Sequence, residues 1–579
     1  MATFALNYLV GGSDPFSFKL VNLSIHLVNT LLVGALAQIL CNALIQRRRG
    51  IALGDAARWA GWIVAGLWGL HPLNLTGVLY VVQRMTSLCT LFGLTALLIY
   101  ARYRYITCGN GRLQRPRLAG IVVGALITAC LALSALSKET GVLFFPLLIW
   151  IELCVFRFRV GGNAVRILNW DARRCVIWLT GLAMAYLVIF KLPGMLAPAA
   201  FNNRDFTLYE RALTESRVLF FYLRLFLLPS NAQLSLYHDD FSISHSLFDP
   251  PSTVIALAAL AIISLVAWLF RKRLPELGFA WGWFLIAHAL ESSVFPLELV
   301  YEHRNYFATI GMLLLVPLAL QSVARLEVKR VFLALLTGYV GLLGFVTYVR
   351  SLQWSDYVDW ALLEASNHPK STRATYELAR VYMALMQSTG EDRYGELAAQ
   401  SLRESSRTQT PGVLPFVAQI QLAYFRGLEP APGLIDTVRE AFSTWPYRTV
   451  NTATLDSLVK CQVEGRCKLQ DAQALGILEA ALQNPYLSTG DRAEVLKLVG
   501  QYRINQLNDI AGGAEVVRQA IELYDKPESR VMYAQCLALQ KKYNEALNQL
   551  DRANALDRYG TSRNLIAREH ASIRAAQAK

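Results

Sequence analysis

The sequence predicts an all-α protein in two parts, a polytopic bundle of membrane helices over residues 1–350 and a helical-repeat domain over residues 351–579. The chain is 54% hydrophobic and 17% charged, with a mean hydropathy of +0.33, whereas about a quarter of the residues in soluble domains are charged. The apolar excess ends near Arg350, and amphipathic helical patterns follow it. These observations exclude an ordinary soluble protein.

Ten apolar segments are predicted to cross the membrane in succession. The first is long enough for a tilted helix to cross about 30 Å of hydrocarbon. The second is interrupted by His71 and Pro72, and a long loop at residues 193–250 follows the sixth. The predicted spans are residues 16–45, 59–80, 88–105, 118–136, 142–156, 175–190, 254–270, 277–290, 307–320 and 331–348.

Basic clusters beside these spans predict the orientation of the chain. Short loops rich in Lys and Arg stay in the cytoplasm, and one orientation places every cluster there: 47–49, 112–117, 157–174, 271–273 and 325–330. The net charge of +14 therefore indicates topology, and no nucleic-acid partner is expected. We expect a multi-pass protein of the bacterial inner (cytoplasmic) membrane with its C-terminal domain in the periplasm.

The cysteines have no spacing typical of a zinc site, so no structural metal is expected. Six of the nine precede Arg350 and resemble small buried hydrophobic residues. Cys461 and Cys467 lie close together in the polar part of the chain. We expect them to form a disulfide if that part lies in an oxidising compartment.

The C-terminal part contains a pattern typical of a tetratricopeptide repeat at residues 530–557. A second candidate begins near His368 and Pro369, and residues 400–525 are helical but irregular. A helical bundle without repeats is the alternative there. The positions at interlocking spacings are Ala534, Leu537, Tyr543, Ala546, Leu550, Ala553 and Leu556 in the first candidate, and Tyr376, Leu378, Ala379 and Tyr382 in the second.

Polar and ionisable residues interrupt the apolar pattern at three places on one predicted side, opposite the basic loops. Ionisable residues at membrane depth are costly, so they normally face a water-filled cavity or a ligand. The alternative is an interfacial cluster that ends a helix, with Arg304 extending to water and Glu302 solvated. The three places are His71–Pro72 with Gln83–Arg84, Lys138–Glu139, and Tyr301–Glu302–His303–Arg304.

The order of these motifs resembles the transmembrane and tetratricopeptide-repeat-containing glycosyltransferases, a multi-span family that takes sugars from polyprenyl-phosphate carriers. The resemblance covers nearly the whole chain. Its most specific piece is Tyr-Glu-His-Arg-Asn-Tyr at 301–306, preceded by His71-Pro72 with Gln83-Arg84 and by Ser137-Lys138-Glu139-x-Gly141. It implies transfer of a sugar to a protein or glycan acceptor on the extracytoplasmic side. The polyprenyl-phosphate sugar is then the donor substrate, and no further cofactor is expected.

One departure from the family pattern concerns the start of the chain. Relatives begin with a further span and a loop bearing an acidic pair, the usual catalytic base, whereas Asp14 stands alone here. The predicted topology also places Met1 outside the membrane, which requires a preceding span. Two expectations stay open, a start that has been truncated or assigned too late and a protein that has lost catalysis.

The resemblance assigns tasks to the polar residues. Cations must neutralise the departing phosphate, and Arg84, Lys138 and Arg304 have the right chemistry. Glu139 and Glu302 are candidate catalytic bases for the acceptor hydroxyl. Each is equally a candidate ion-pair partner of its neighbouring cation, and we favour that role.

Four further residues are candidates for lining the donor cavity, and the long loop is a candidate cover for the carrier head group. The alternative for the loop is a solvated linker, and for the histidines a place at a helix end. The lining candidates are His71, Gln83, Tyr301 and His303.

The sequence is compatible with three alternative functions. The first is a lipid-linked sugar transferase whose repeats present a protein or glycan acceptor. The second is a non-catalytic membrane scaffold whose repeats bind envelope proteins, which the missing acidic loop favours. The third is a glycan ligase or polymerase, which the repeat tail disfavours.

Overall fold

The computed structural model describes residues 2–49, 55–108, 116–160, 163–164, 166–167, 170–409 and 411–578. Most of the basic cluster at 112–117 lies outside these described residues. Met1, which the predicted topology places outside the membrane, is also not among them. The chain divides into two compact units. Unit 1 contains residues 1–200 and 206–367, and unit 2 contains residues 201–205 and 368–579.

Unit 1 is built from helices at the predicted apolar segments and from further helices between and beside them. They are α1 (Ala2–Gly11), α2 (Pro15–Arg49), α3 (Asp55–Gly69), α4 (Thr76–Leu79), α5 (Arg84–Cys108), α6 (Pro116–Ser137), α7 (Phe144–Ile151), α8 (Ala172–Tyr186), α9 (Leu192–Met195), α10 (Leu208–Leu227), α11 (Ser252–Leu269), α12 (Pro275–His288), α13 (Asn305–Ala308), α14 (Ile310–Leu313), α15 (Leu315–Ser322), α16 (Leu326–Gln353) and α17 (Tyr357–Asn367).

Shorter elements connect these helices. The 3-10 turns are Pro72–Asn74, Val81–Gln83, Glu139–Leu143, Pro198–Phe201 and Glu302–Arg304, and the π-helical turns are Glu152–Phe156 and Leu187–Lys191. The strands are β1 (Arg159–Val160), β2 (Asn163–Ala164), β3 (Arg166–Ile167) and β4 (Trp170–Asp171). β1 pairs with β2 and β3 with β4, both antiparallel, with Arg159 opposite Ala164 and Arg166 opposite Asp171.

Among the described residues, six helices are long and apolar enough to cross a membrane, and two bent helix pairs raise the number to as many as eight. The bent pairs are Ala57–Gly69 with Pro72–Leu79, at 58°, and Glu302–Ala308 with Ile310–Ser322, at 50°. At the remaining two predicted spans the helices are α8, which continues without a break into the π-helical turn Leu187–Lys191 and α9, and α12. α12 has 14 residues and extends roughly 21 Å at 1.5 Å per residue, which is less than the hydrocarbon thickness.

The core of unit 1 is apolar and closely packed around α2. Adding a Cβ to Gly61 would bring it within 2.7 Å of the Gly34 carbonyl oxygen. Glycines at this crossing therefore allow the backbones of α2 and α3 to approach, as small residues do between membrane helices. Trp68, Phe144, Trp283 and residues of α2 fill the centre of this core.

The 3-10 turns explain why the polar motifs have their sequences. Pro72 occupies the first position of its turn, where its missing N–H costs no hydrogen bond. At Gly141 a Cβ would lie 2.3 Å from the backbone of Ser134, so only glycine fits the turn after Lys138. The sequence thus breaks three helices at the polar motifs, where 3-10 geometry often marks a functional position.

Unit 2 is all-helical in its described part. Consecutive helices joined by short loops pack against each other, notably α18 with α19, α24 with α25 and α26 with α27. The helices are α18 (Thr372–Thr389), α19 (Asp392–Ser406), α20 (Leu414–Phe425), α21 (Leu434–Thr444), α22 (Thr449–Val463), α23 (Asp471–Gln483), α24 (Thr489–Asn505), α25 (Ile510–Leu523), α26 (Pro527–Leu539), α27 (Tyr543–Leu556) and α28 (Arg563–Gln577). The prediction of an all-α fold is confirmed, with four two-residue strands as its exception.

The predicted repeat positions form much of the local cores. Ala534, Leu537, Ala546, Leu550 and Ala553 are buried together, with Tyr543 partly buried beside them. Leu556 differs, because 39% of its surface is exposed at the end of α27. In the second candidate, Ala379 is buried with Tyr376 and Tyr382 packed against it.

The cysteines are arranged as the sequence predicts. Cys461 and Cys467 form a disulfide between the end of α22 and the loop that follows. The six cysteines of unit 1 are free.

Candidate functional site

The polar turns that the sequence singles out are joined by hydrogen bonds at one end of unit 1. Arg350, near the end of α16, donates to the Pro72 carbonyl at 2.9 Å and to Glu302 Oε2 at 2.7 Å. The turn of the second predicted span and the turn that opens the ninth are therefore held together. Asn22, near the start of α2, bonds to Arg84 at 2.7 Å at this end of the bundle.

Two of the predicted phosphate-binding cations contact one carboxylate. Lys138 Nζ lies 3.0 Å from Glu291 Oε1, and Arg304 Nε lies 3.9 Å from the same oxygen. All three side chains are at least 93% buried. Thr86 accepts a further hydrogen bond from Lys138 at 3.3 Å. The structure thus brings Lys138 and Arg304 together around Glu291.

Arg304 is fixed by backbone carbonyls but keeps one donor without a hydrogen bond. Its two terminal nitrogens donate to the carbonyls of Leu299 at 2.7 Å and Glu298 at 2.6 Å. Its buried Nε makes no hydrogen bond of normal length: Glu291 Oε1 lies 3.9 Å away, and Tyr222 interacts with the same guanidinium. Buried donors are almost always satisfied, so this N–H is available to a better-placed acceptor.

His303 and Tyr301 lie beside these cations. Their rings stack with centroids 5.1 Å apart, and the Arg304 guanidinium lies 5.5 Å from the centre of the Tyr301 ring. His303 is buried within electrostatic range of both Lys138 and Arg304. Two of the four predicted lining residues therefore contact or adjoin the cation cluster.

Helix α10, in the long loop after residue 193, contributes a third cation. Arg211 donates to the Glu291 carbonyl at 2.7 Å and the Ser293 carbonyl at 2.8 Å, and pairs with Glu215 at 2.8 Å. Burial raises the pKa of Glu215 to about 7, although the Arg211 charge opposes this shift. The loop predicted to cover a carrier head group is thus packed against Glu291.

A second buried network surrounds Glu302. Its Oε1 accepts a hydrogen bond from the Ser235 backbone at 2.6 Å, and its Oε2 pairs with Arg350 at 2.7 Å. Ser235 also donates to Glu364, whose pKa is raised by burial. Glu302 therefore pairs with Arg350 instead of its sequence neighbour Arg304. Residues two apart on a 3-10 turn point in different directions, which accounts for this difference from the expected pairing.

Arg84 is held by a different set of atoms. It donates to Asn22 Oδ1 at 2.7 Å, to Asn7 Oδ1 at 2.6 Å and to the carbonyls of Thr3 and Phe18 at 3.1 and 3.0 Å. These partners all belong to α1 and α2. The structure does not join Arg84 to Glu291 as it joins Lys138 and Arg304.

The remaining predicted residues have structural contacts of their own. His71 is buried, and its Nε2 lies 2.9 Å from the Phe226 carbonyl while its ring stacks on Phe226. Gln83 accepts a hydrogen bond from Thr86 at 2.8 Å. Glu139 is exposed, whereas the carboxylate that contacts its neighbour Lys138 is Glu291.

Sequence reasoning did not select Glu291, Arg350, Arg211 or Glu215. Glu291 directly follows the predicted span 277–290, and Arg350 follows the span 331–348. Both could have been found by the argument applied to Lys138, because each is an ionisable residue at the end of an apolar segment. Arg211 and Glu215 lie within an amphipathic helix and carry no such signal.

The central group carries a net positive charge. It contains three cations and two carboxylates, namely Lys138, Arg304, Arg211, Glu291 and Glu215. One positive charge is therefore uncompensated within this group when both carboxylates are ionised. An arginine and a lysine at low dielectric are suited to a phosphate, and the nearby carboxylates are suited to accept protons.

Sequence comparisons find similarity to protein O-mannosyl-transferases from animals. Protein O-mannosyl-transferase tmtc2 of Xenopus laevis is 28% identical over 228 residues, which is 38% of this chain and 24% of the relative. Tmtc2 of Drosophila melanogaster is 28% identical over 306 residues, 51% of this chain and 29% of the relative. Human TMTC4 is 35% identical over 101 residues, 17% and 14% of the two chains.

The matched regions therefore span less than a third of these relatives. No protein-family profile matches the chain, and no solved structure matches it.

Proposed function

We propose that this chain, a homologue over part of its length of protein O-mannosyl-transferases, transfers a mannosyl residue from a polyprenyl-phosphate carrier to a protein or glycan acceptor. Transfer takes place on the extracytoplasmic side, and the helical-repeat unit binds the acceptor. Lys138 and Arg304 bind the carrier phosphate, and His303 and Tyr301 lie beside it. The sugar, the carrier, the acceptor and the side of the membrane are all parts of this proposal.

The observation that carries the proposal is the group around Glu291. Two buried cations from different spans approach one carboxylate oxygen, and the buried Nε of Arg304 makes no hydrogen bond of normal length. A phosphate oxygen would accept a hydrogen bond from this nitrogen and offset the uncompensated charge of the group. Cations held in place before the reaction stabilise the charge that develops on a leaving phosphate.

The catalytic base removes the proton from the hydroxyl of the acceptor, and the sequence predicts Glu302 or Glu139 for this role. Glu302 is engaged by Arg350 and the Ser235 backbone, and Glu139 is exposed and accessible to an acceptor. Of the two predicted bases, Glu139 is thus the one whose carboxylate is open to a substrate hydroxyl.

The test measures donor binding and mannosyl transfer by the purified full chain in lipid vesicles. We expect Arg304→Ala to weaken binding of polyprenyl-phosphate mannose by at least about tenfold, because hydrogen bonds to charged groups contribute roughly 1.5–3 kcal/mol. Arg304→Lys should retain part of the binding, since the charge remains and the planar fork is lost. Lys138→Met should resemble Arg304→Ala.

The matched control is Arg325→Ala, which removes an exposed arginine just beyond the other end of the same bent helical segment. It should leave donor binding unchanged. Variants whose thermal unfolding midpoints match the unaltered chain are compared. Ordinary donor binding by such an Arg304→Ala variant contradicts the proposal.

One observation favours a second candidate, a membrane-anchored scaffold whose repeat unit binds envelope proteins. Glu291 already neutralises part of the charge of Lys138 and Arg304, and Arg84 is held by four hydrogen bonds to side chains and carbonyls of α1 and α2. Such contacts stabilise the fold without any ligand. A correctly folded chain that captures acceptor proteins but binds no lipid-linked sugar would favour this function.

The proposed side of the membrane rests on the basic loops and is tested independently of catalysis. Reporter domains fused after residue 360 should be active only outside the cytoplasm, in the periplasm of a bacterial host. Cytoplasmic reporter activity at that position would reverse the orientation, and the proposed side of transfer with it.

A further inference from the structure

A basic cavity lies at the opposite end of unit 1 from the Glu291 group. Twenty-five positions of α2 separate Asn22, beside Arg84, from Arg47, which lines the cavity. That distance is roughly 38 Å along a helix. The cavity has a volume of about 570 Å³, within the usual range of ligand-binding sites.

The lining of this cavity is cationic. It contains six basic side chains and no carboxylate among the described residues, and they come from three different parts of the sequence: Arg47, Arg157, Arg159, Arg173, Arg271 and Lys272. Five of the six are exposed, so water and salt screen their mutual repulsion. Together they give the cavity a positive potential that attracts anions. Glu276, at the start of α12, interacts electrostatically with Arg47 but does not line the cavity.

The walls of the cavity are aromatic. The indole N–H of Trp150 donates to the Phe279 carbonyl at 3.0 Å, and that of Trp281 donates to Ser264 at 2.9 Å. Both indoles thus have their polar atoms satisfied. Trp268 is 57% exposed, and the Arg271 guanidinium lies over its ring at 4.0 Å. Tryptophan beside arginine at a span end is typical of the boundary between acyl chains and head groups.

The cavity also opens toward an apolar outer surface. Ile262, Leu265 and Leu269 of α11 are each more than half exposed, and Trp268 on the same helix belongs to the cavity lining. A molecule with a phosphate in the cavity could therefore extend acyl chains along α11. A free phosphate ion has no acyl chains and would not contact this second surface.

We propose that this cavity binds the phosphate head group of an anionic phospholipid, with the acyl chains lying along α11. Basic pockets between membrane helices bind acidic head groups where the leaflet is anionic. The orientation predicted from the basic loops places this end at the cytoplasmic leaflet. The site is distinct from the proposed donor site and does not depend on transferase activity.

The test is binding of phosphatidylglycerol to the detergent-purified full chain, measured by native mass spectrometry and by the rise in thermal unfolding midpoint. Arg271→Gln with Lys272→Gln should weaken binding by roughly 30-fold, since each juxtamembrane cation contributes about a fivefold factor. The control pair, Lys329→Gln with Arg330→Gln, removes two adjacent cations from another basic cluster, outside the cavity lining. An equal loss in both pairs indicates attraction by net charge only and overturns the proposal.

A second variant blocks the cavity without altering its charge. Gly278 lines it, and an added Cβ would meet only the Ala267 carbonyl at an ordinary 3.6 Å. Gly278→Leu should therefore fold normally and lose phosphatidylglycerol binding. Gly282 is unsuitable, because its Cβ would lie 2.1 Å from the Trp150 ring.

Two competitors identify the ligand source. Phosphatidylcholine and inorganic phosphate should each fail to displace phosphatidylglycerol at equal concentration. Displacement by inorganic phosphate makes the ligand a free anion and overturns the lipid proposal. Full phosphatidylglycerol binding by a folded Gly278→Leu variant also overturns it.

Discussion

The same ion-pair chemistry occurs in two different solvents within this chain. In unit 1 the pairs Lys138–Glu291 and Arg350–Glu302 are buried, with side-chain exposures of 6% and 7% and of 2% and 1%. In unit 2 the pair Lys460–Asp456 is exposed, at 55% and 37%. Desolvation makes the loss of one partner costly inside and nearly neutral outside. The comparison suggests that buried charges organise unit 1, whereas apolar interlocking organises unit 2.

The strongest test of this comparison is Glu291→Gln, which leaves Lys138 and Arg304 without their shared carboxylate. Breaking a buried pair typically costs about 3–5 kcal/mol, so we expect a loss of that order in the free energy of unfolding. Unfolding in mixed micelles with increasing denaturant measures it. The matched control is Glu139→Gln, because Glu139 adjoins Lys138 in sequence but is exposed. Equal effects of the two variants would contradict the comparison.

The disulfide of unit 2 should have the next largest effect. Cys461 and Cys467 are six positions apart and both buried. Chain-entropy arguments for a loop of this length give about 2 kcal/mol of stabilisation. The double variant Cys461→Ser with Cys467→Ser should lower the unfolding midpoint of the full chain by a corresponding amount. Addition of reductant should lower the midpoint of the unaltered chain and leave that of the variant unchanged.

The fold could be predicted from sequence because long apolar segments and basic loops repeat along unit 1. The site was predictable in part, since Lys138, His303 and Arg304 interrupt apolar segments. Their common partner Glu291 is 153 positions from Lys138, and no local pattern reports contacts at that distance. The pairing of Glu302 with Arg350 depends on where a 3-10 turn points each side chain, which residue spacing alone does not determine.

A further effect concerns pH and Glu364, which lies outside the predicted spans. Burial raises the pKa of this carboxyl, with hydrogen bonds from Ser235 and the Leu236 backbone opposing the shift. The folded chain thus holds this proton more tightly than the unfolded chain, whose glutamate has a pKa near 4.3. Its contribution is fully present below the unfolded pKa and decreases as pH rises toward the folded value.

The variant Glu364→Gln tests this linkage, because an amide cannot titrate. The unaltered chain should lose stability on going from mildly acid to neutral pH, and the variant should lose less. Unfolding midpoints of both proteins across that pH range measure the difference. Parallel pH profiles would mean that Glu364 titrates alike in the folded and unfolded chains.

The smallest effect is expected at the exposed pair of α22, where Lys460 Nζ lies 2.6 Å from Asp456 Oδ2. The two residues are four positions apart on one helix face, and such pairs contribute roughly 0.3–0.5 kcal/mol before salt screening. Asp456→Asn should therefore change the unfolding midpoint of unit 2 only slightly, and 0.5 M salt should remove that difference. The same salt should leave the effect of Glu291→Gln almost unchanged, because buried charges are poorly screened. A salt-sensitive loss at Glu291, or a large salt-independent loss at Asp456, would remove the distinction between the two units.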